Sequence, residues 1–273
     1  MKKLYFLGPK GTYSEQCANK ANEILGQEHE LVAISTIPKI IEILNSNPSS
    51  CAVLPVENSI EGIVRPTIDN LFLTDVKIQA EIDIKIEHCL ISKGKKEDIK
   101  NILSHPQALA QCSKYITLNF NENINLTETS STALSGEMLK EKDETFAAIV
   151  SKALAHKLGY NIIDENIGDI KDNITRFVLA SKTEMILGQK ERTSIVFNTK
   201  NESGALLKIL EIFKKHNLNL LYLESRPSKK VFGEYNFFAD VDSGLSSDNE
   251  ALREIKQECN FYKYLGSYSR FLN

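Results

Sequence analysis

Short apolar runs alternate with helix-start signals through the first two thirds of this 273-residue chain, and this alternation leaves few folds open. Residues 4–7, 31–34 and 51–56 predict buried strands. Between them, the segment Thr12-Tyr13-Ser14-Glu15 has the spacing of a capping box that begins a helix through about residue 25, and Thr36 caps a second helix. Strand, helix, strand in this order predicts right-handed crossovers and a mostly parallel sheet, hence an α/β fold.

Residues 78–86 follow a different pattern, because apolar and polar side chains alternate strictly from Ile78 to Ile86. A period of two predicts a long strand with one exposed face, and we expect this strand to lead into a second lobe. There, strands are predicted at residues 102–103, near 126 and at 146–150, with helices after Pro106 and Ser131. Residues 176–180 predict a strand that returns. Two lobes joined by few crossings leave a cleft suited to a small molecule.

The last third of the chain has its own organisation. Residues 181–192 are polar and irregular and predict a linker. A strand at 194–197, a helix capped by Ser203, strands at 220–223 and 235–239, a helix at 249–258 and a strand at 262–265 follow. This β-α-β-β-α-β order is ferredoxin-like. Such a fold leaves a sheet edge open, so we expect pairing with a second copy of the chain.

Composition and charge argue against several classes of partner. Lys and Arg total 33 against 36 Asp and Glu, so no general attraction to nucleic acid is expected. Because the Gly8-Pro9 turn interrupts the first apolar run, we expect no signal peptide, and no apolar run is long enough to span a bilayer. The five cysteines and five histidines are dispersed. We therefore expect reduced thiols, a cytoplasmic location and no metal site.

Four polar segments lie at the ends of predicted strands: residues 8–14, 55–62 and 104–112 follow strands, and residues 169–177 lead into the returning strand. The first supplies helix N-terminal amides that suit an anion, or simply caps a helix; it lacks the spacing of a nucleotide-binding loop. His105 could act as an acid or base, but a histidine before a helix-starting proline is more often structural. Arg176 could bind a carboxylate, or equally pair with Asp172 or another acid. Spacing alone therefore predicts a two-lobed α/β protein that binds a small polar anion.

Taken in order, these segments resemble the signatures of prephenate dehydratases: Gly8–Ser14, Pro55–Gly62, Ser104–Cys112, Ser131-Thr132-Ala133 and Asn173–Phe177. The C-terminal part resembles a regulatory ACT domain, with Gly204-Ala205-Leu206, Glu224-Ser225-Arg226-Pro227 and residues 265–268. The resemblance implies a two-lobed, periplasmic-binding-protein-like catalytic domain at residues 1–182, with lobe one at about 1–78 and 170–182 and lobe two at 79–169. It implies an ACT domain with the ferredoxin-like fold at residues 193–273.

The resemblance also implies the activity. Prephenate would lose water and carbon dioxide to give phenylpyruvate for phenylalanine synthesis, without a cofactor, under feedback by L-phenylalanine, in a homodimer or homotetramer. Two alternatives stay open: an arogenate dehydratase, and a non-catalytic amino-acid sensor that shares the two-lobed fold. Intact Asn173-Ile174-Thr175-Arg176-Phe177 favours catalysis, since a sensor has no need of the threonine hydroxyl.

Roles for single residues follow from the same resemblance. Thr175 is the expected hydrogen-bond or proton donor to the leaving hydroxyl group, and Asn58, Ser104 and Gln111 are expected to orient the substrate. Phe177 would supply a face against the ring or else pack in the core. The remaining expected substrate-binding residues are Gly11, Thr12, Tyr13, Ser14, Glu57, Ser59, Ser131, Thr132 and Arg176. The expected phenylalanine-binding residues are Gly204, Ala205, Leu206, Leu207, Glu224, Ser225, Arg226 and Pro227.

Overall fold

The computed structural model of this protein describes residues 2–227 and 235–271. Strands and helices alternate as predicted through β3: β1 (Lys2–Leu7), α1 (Tyr13–Ile24), β2 (His29–Ile34), α2 (Ile37–Ser46) and β3 (Cys51–Asn58). Two elements that were not predicted follow, β4 (Gly62–Ile63) and α3 (Arg65–Leu73), and then the predicted strand β5 (Lys77–Lys85). Thr12 and Thr36 are the N-caps of α1 and α2, as the sequence predicted. In the expected capping box the Glu15 carboxylate would accept from the N–H of the N-cap, Thr12. It accepts instead from the N–H of the preceding residue, Gly11, at 2.6 Å.

The second lobe is a five-stranded sheet with helices on both faces. Its elements are β6 (His88–Ser92), β7 (Asn101–Ser104), α4 (Pro106–Gln111), α5 (Ser113–Asn119), β8 (Asn125–Glu128), α6 (Thr132–Met138), β9 (Phe146–Ser151), α7 (Lys152–Leu158) and β10 (Asn161–Asp164). The strand order is β10-β6-β9-β7-β8. Two apolar clusters, on opposite faces of this sheet, are buried beneath the helices.

The strand β11 (Ile174–Ser181) returns to the first lobe and lies between β3 and β5, antiparallel to both. Since β1 is parallel to β2 and β3, the sheet of the first lobe is mixed rather than mostly parallel. The reason is geometric: β5 leaves the lobe and β11 comes back beside it. The crossing expected near residue 78 therefore lies after Lys85, because β5 belongs to the first sheet.

The C-terminal unit (residues 192–227 and 235–271) contains β12 (Arg192–Thr199), α8 (Ala205–Lys215), β13 (Leu220–Pro227), β14 (Tyr235–Val241), α9 (Glu250–Glu258) and β15 (Cys259–Phe271). Its strands are ordered β13-β14-β12-β15, as a ferredoxin-like fold requires. The expected cap at Ser203 is wrong, because Gly204 is the N-cap of α8 with a φ of 81° and no side-chain hydrogen bond.

β15 continues beyond its predicted end and joins the two parts of the molecule. Ser269, Arg270 and Phe271 pair in parallel with Ala80, Glu81 and Ile82 of β5, so one ten-stranded sheet runs through the first lobe and the C-terminal unit. The prediction that β5 has an exposed face is wrong. Glu81 is 1% exposed, because arginines of the C-terminal unit cover the polar face of the strand.

Apolar packing follows the same path as the strands. Phe238, Leu265 and Tyr268 of the C-terminal unit pack in one buried cluster with Leu54 and Val178 of the first lobe. Burial of a large apolar side chain contributes roughly 1.5–3 kcal/mol, so this contact is a substantial part of the stability of the whole. The longest helix described, α1, has 12 residues, and none of the described helices is long and apolar enough to cross a membrane.

Candidate active site

A cavity of about 270 Å³ lies in the cleft between the two lobes. Strand ends from the first lobe form one wall, and the starts of α1, α4 and α6 form the rest. Its lining residues are Leu7, Thr12, Tyr13, Ser14, Asn58, Ile86, His88, His105, Gln107, Ala108, Gln111, Ser130, Ser131, Thr132 and Thr175. Both lobes contribute, so the cavity exists only while the lobes are held together.

Asn58, at the end of β3, has its amide orientation fixed by the backbone. Its Oδ1 accepts from the N–H groups of Ile60 and Glu61, each at 3.1 Å. Its Nδ2 must therefore point the other way, where it donates to Asn173 Oδ1 at 2.7 Å and to Thr175 Oγ1 at 2.9 Å. Asn58 is 7% exposed, so these bonds are shielded from solvent.

Thr175 stands directly opposite Asn58 in the β3–β11 ladder. Because its hydroxyl oxygen accepts from an amide that can only donate, the hydroxyl hydrogen is left for another acceptor. Thr175 lines the cavity, so its hydroxyl is placed to donate to a group bound there.

The network continues from one lobe to the other. Asn173 Nδ2 donates to Gln111 Oε1 at 3.1 Å, and His88 Nε2 lies 3.1 Å from the same oxygen. An oxygen can only accept, so His88 carries a hydrogen on Nε2. Burial lowers the pKa of His88, which keeps the ring neutral near neutral pH. Thr175, Asn58 and Gln111 therefore share one environment, which is the arrangement on which the sequence interpretation depends.

Tyr13 closes the network on the α1 side. Its hydroxyl donates to the carbonyl of Glu87 at 2.7 Å. Burial raises the pKa of Tyr13 well above its ordinary value, so the phenol stays protonated. Its ring meets the ring of His88 edge-on, with 6.0 Å between centroids. Tyr13 therefore ties the first lobe to the start of the second at the crossing between β5 and β6.

Three N-cap residues line the cavity: Thr12 before α1, His105 before α4 and Ser131 before α6. Each side chain accepts from a backbone N–H of its own helix, at 3.4, 3.3 and 3.1 Å. Helix N-termini carry partial positive charge, and the described lining residues include no lysine, arginine or carboxylate. The cavity therefore suits an anion held by neutral donors.

Several residues expected at the site do not line the cavity. Ser104 is fully buried and donates to the carbonyl of Ile149 at 2.8 Å. Phe177 packs in the core beneath the first sheet, so of its two expected roles it has core packing rather than contact with a substrate ring. Ser59 Oγ accepts from the Ile174 N–H at 3.0 Å, and Gly11, with a φ of 86°, forms the turn before α1. These four support the walls rather than form them.

Arg176 and Glu57 point away from the cavity. Arg176 follows Thr175 in β11, and successive side chains of a strand face opposite sides. The guanidinium pairs with Asp240 and with Glu57, the latter at 3.4 Å. The sequence left two interpretations of Arg176, binding a ligand carboxylate or pairing with an acidic residue. The structure shows the second, with Asp240 and Glu57 as the partners in place of Asp172. Asp169 also has a structural partner, since its carboxylate accepts from the N–H of Lys114 at 3.1 Å.

Residue patterns missed part of the site. His88 and Asn173 are in the network, and Leu7, Ile86, Gln107, Ala108 and Ser130 line the cavity. Asn173 belongs to the motif that contains Thr175 and was available as a candidate. His88 follows the crossing after β5, but a single histidine after a strand carries no signal until the lobes are placed together.

A smaller cavity of about 240 Å³ lies at the start of α8. Gly204, Ala205, Leu206 and Leu207 line it, with Tyr235 and Phe237 of β14 opposite. The segment Glu224–Pro227 lies on β13, where Arg226 Nε is 3.7 Å from Asp69. Within one chain, this segment pairs with the strand that carries Tyr235 and Phe237, but it does not itself line the cavity.

Metal ligands were not expected from the sequence. In the residues that the structure describes, no three His, Cys, Asp or Glu side chains are grouped to hold a metal ion. All five thiols are free. Burial raises the pKa of Cys51 and of Cys112 to about 12, so these two thiols stay protonated and serve as packing residues.

Comparison with known proteins gives a consistent result. The sequence model of a family described as prephenate dehydratase matches residues 4–185. A prephenate dehydratase of Methanocaldococcus jannaschii is 38% identical over 96% of each chain. A bifunctional chorismate mutase/prephenate dehydratase of Aquifex aeolicus is 38% identical over 99% of this chain and 74% of the relative. The structure of a prephenate dehydratase from Arthrobacter aurescens in complex with L-Phe is 28% identical, with a TM-score of 0.85 over 99% of this chain and 90% of that one.

Proposed function

The chain belongs to the prephenate dehydratase family, and we propose that prephenate reacts in the cavity between the lobes, with the Thr175 hydroxyl donating to the leaving hydroxyl group. The protein is a carbon–oxygen lyase. One observation carries the assignment of Thr175: Asn58 Nδ2 donates to its Oγ1 at 2.9 Å, which leaves the threonine hydrogen free to be donated into the cavity.

The chemistry demands little more than this donor. Prephenate loses its ring hydroxyl group as water and its ring carboxylate as carbon dioxide, taking up one proton, and the ring becomes aromatic. The electrons of the breaking C–C bond enter the ring as the C–O bond breaks. A donor to the departing oxygen stabilises the charge that develops there. A preorganised donor of this kind lowers the activation barrier by on the order of 3 kcal/mol.

The neutral lining also suits the decarboxylation. A carboxylate that leaves as carbon dioxide loses its charge, so an ion pair would stabilise the reactant more than the transition state. Leu7, Ile86 and Ala108 supply apolar surface in the cavity, where that carboxylate is placed. The pyruvyl carboxylate, which keeps its charge, is placed at the N-terminal end of α1 beside Thr12 and Ser14.

Ser104, Glu57, Ser59, Gly11, Arg176 and Phe177 are assigned supporting roles. They fix the strands and turns from which the lining side chains project. Tyr13, Ser131, Thr132 and Gln111 are assigned to substrate binding because they line the cavity. Asn58 is assigned to orienting the Thr175 hydroxyl rather than the substrate itself.

Incubation of the purified chain with prephenate tests the function. We expect phenylpyruvate, seen by its absorbance in alkali, and a much lower kcat/KM with arogenate. Faster turnover of arogenate would change the substrate, since the two compounds differ by an amino group in place of a keto group. Binding of either compound without turnover would favour the alternative of a non-catalytic sensor.

L-Phenylalanine is the proposed effector. The cavity at the start of α8 combines apolar side chains with the polar Thr199–Glu202 segment, and it lies where the family resemblance expects the amino acid. Leu207, Leu221 and Leu223 are 57, 40 and 37% exposed, and β13 is an edge strand of the sheet. We propose that a second copy covers this surface, bringing the Glu224–Pro227 segment of one copy near the α8 cavity of the other. A homodimer or homotetramer in the cytoplasm is the proposed assembly.

Leu207→Ala tests the effector site. This change removes apolar surface from the cavity, so we expect the phenylalanine concentration that halves the activity to rise about tenfold, with kcat and KM for prephenate unchanged. The matched control is Leu118→Ala, a leucine that is 84% exposed on α5, which should leave the response unaltered. Equal sensitivity of both variants would place the effector elsewhere.

A further inference from the structure

A charged pair lies directly behind the Thr175–Asn58 pair. In the ladder between β11 and β3, Thr175 stands opposite Asn58 and Arg176 stands opposite Glu57. Arg176 Nε is 3.4 Å from Glu57 Oε2. One face of the two strands therefore carries the hydrogen bond that directs the Thr175 hydroxyl, and the other face carries an ion pair one residue further along.

The C-terminal unit binds this ion pair. Arg176 Nη1 donates to Asp240 Oδ2 on β14, and the guanidinium lies 5.8 Å from the ring centroid of Tyr222 on β13. Asp240 is 0% exposed and Arg176 is 8% exposed. Ser194 donates to the other oxygen of Asp240 and lies 2.6 Å from the Tyr268 hydroxyl. Asp240 is thus held rigidly by its own unit while it binds a residue of the catalytic lobe.

The ladder on one side of β11 is interrupted beside Arg176. The register between β11 and β3 shifts between Arg176 and Phe177, so Val56 of β3 has no partner in β11, whereas the pairing of β11 with β5 is regular from Ile174 to Leu179. A bulge disrupts the local ladder of hydrogen bonds. The contacts of Arg176 therefore act on the side of β11 that faces Asn58, where the ladder is interrupted.

We propose that Asp240 is a positioning residue for the dehydration: through Arg176 it fixes the end of β11 so that the Thr175 hydroxyl stays in register with Asn58. This inference rests on the proposed role of Thr175. A buried arginine that loses one carboxylate moves toward those that remain, here Glu57 and Glu81, and its strand moves with it. A shift of about 1 Å in a reacting group lowers turnover by up to about 100-fold.

Steady-state kinetics of the full chain with prephenate test the proposal. We expect Asp240→Asn to lower kcat at least about tenfold with KM within about twofold. Arg176→Gln should do the same. In the double variant, both charges of the Arg176–Asp240 pair are absent and Glu81 keeps its pairs with Arg192 and Arg270, so the double variant should fold even if a single variant does not. Its kcat should be no lower than that of Arg176→Gln, because the two residues act as one unit.

Arg270→Gln is the matched control. Arg270 belongs to the same interface but joins it through Glu81, at 3.0 Å from its Nε, so its loss should leave kcat within about twofold. Equal losses in Arg270→Gln and Asp240→Asn would mean that any loosening of the interface lowers activity, and would overturn the proposal. A normal kcat in Asp240→Asn, or additive losses in the double variant, would also overturn it. Thr175→Ala is assayed alongside. A low kcat in Thr175→Ala with a normal kcat in Asp240→Asn would contradict only the role of Asp240, whereas a normal kcat in Thr175→Ala would contradict the proposed role of Thr175.

Discussion

At the scale of single residues, the site works through the direction of hydrogen bonds rather than through charge. Two backbone N–H groups decide which end of the Asn58 amide faces Thr175. The amide then decides which end of the threonine hydroxyl faces the cavity. On our proposal, the weakly acidic threonine hydroxyl acts as a donor to substrate because the amide beside it donates and cannot accept its hydrogen.

Asn58→Asp tests this directly. The substitution keeps the size and keeps an oxygen for the N–H groups of Ile60 and Glu61, but it replaces the donor that faces Thr175 by an acceptor. The threonine hydrogen would then be donated to the introduced carboxylate instead of to substrate, so we expect kcat to fall about 100-fold or more. The control is Asn22→Asp, whose side chain bridges the backbone of His29 far from the cavity. A normal kcat in the Asn58 variant would contradict the account.

The sequence predicts these residues only in part. Thr175, Asn58 and Gln111 were identified, and the structure brings them together. The alternation of a strand also requires Thr175 and Arg176 to face opposite sides. Which side faces the cleft is not a local property, since it depends on where the C-terminal unit docks. For that reason the two interpretations of Arg176 could be separated only by the fold.

At the scale of elements, the helices of the first lobe carry their own start signals. Thr12 was predicted as an N-cap from a capping-box pattern and Thr36 as the cap of the next helix, and both predictions are confirmed. The prediction for β5 was wrong, because its alternation is the pattern of a half-exposed strand. Glu81 on its polar face is instead buried against Arg192 and Arg270, which lie more than a hundred residues away in the chain and so outside any local sequence window.

The two N-caps allow stability to be separated from function. Thr12→Ala and Thr36→Ala each remove a side chain that accepts from a helix N–H at 3.4 Å, so each should lower the free energy of unfolding by about 1 kcal/mol. Only Thr12 lines the cavity. We therefore expect KM for prephenate to rise severalfold in Thr12→Ala and to stay unchanged in Thr36→Ala. Equal KM values for the two variants would show that the start of α1 does not contribute to prephenate binding.

At the scale of the whole molecule, the C-terminal unit is an extension of the catalytic sheet rather than an appendage. β15 pairs with β5, and Lys263 donates to the carbonyls of Leu71 and Phe72 at the C-terminal end of α3, at 2.9 and 3.1 Å. The ferredoxin-like order was predictable from the chain. The continuous sheet was not, because it needs β15 to run past its predicted end and change partners.

Gly266 makes this change of partner possible. It has a φ of 140°, and a Cβ there would collide with the carbonyl oxygen of Ile78. Gly266→Ala should therefore push β15 away from β5 and lower Tm markedly. The control is Gly26→Ala, which has a φ of 82° but open space around its Cβ, and so carries only the backbone strain of about 1–2 kcal/mol. Similar Tm values for the two variants would show that the contact with β5 contributes little.

The most direct measurement of the central claim is kcat for prephenate in Thr175→Ala beside Thr175→Ser. The serine variant keeps the hydroxyl between Asn58 and the cavity, and the alanine variant removes it. We expect kcat to fall about 100-fold to 1,000-fold in Thr175→Ala and to recover to within about tenfold of the original in Thr175→Ser, with Tm close to that of the unchanged chain in both. Near-normal turnover by a folded Thr175→Ala protein would show that the donor to the leaving group is some other residue.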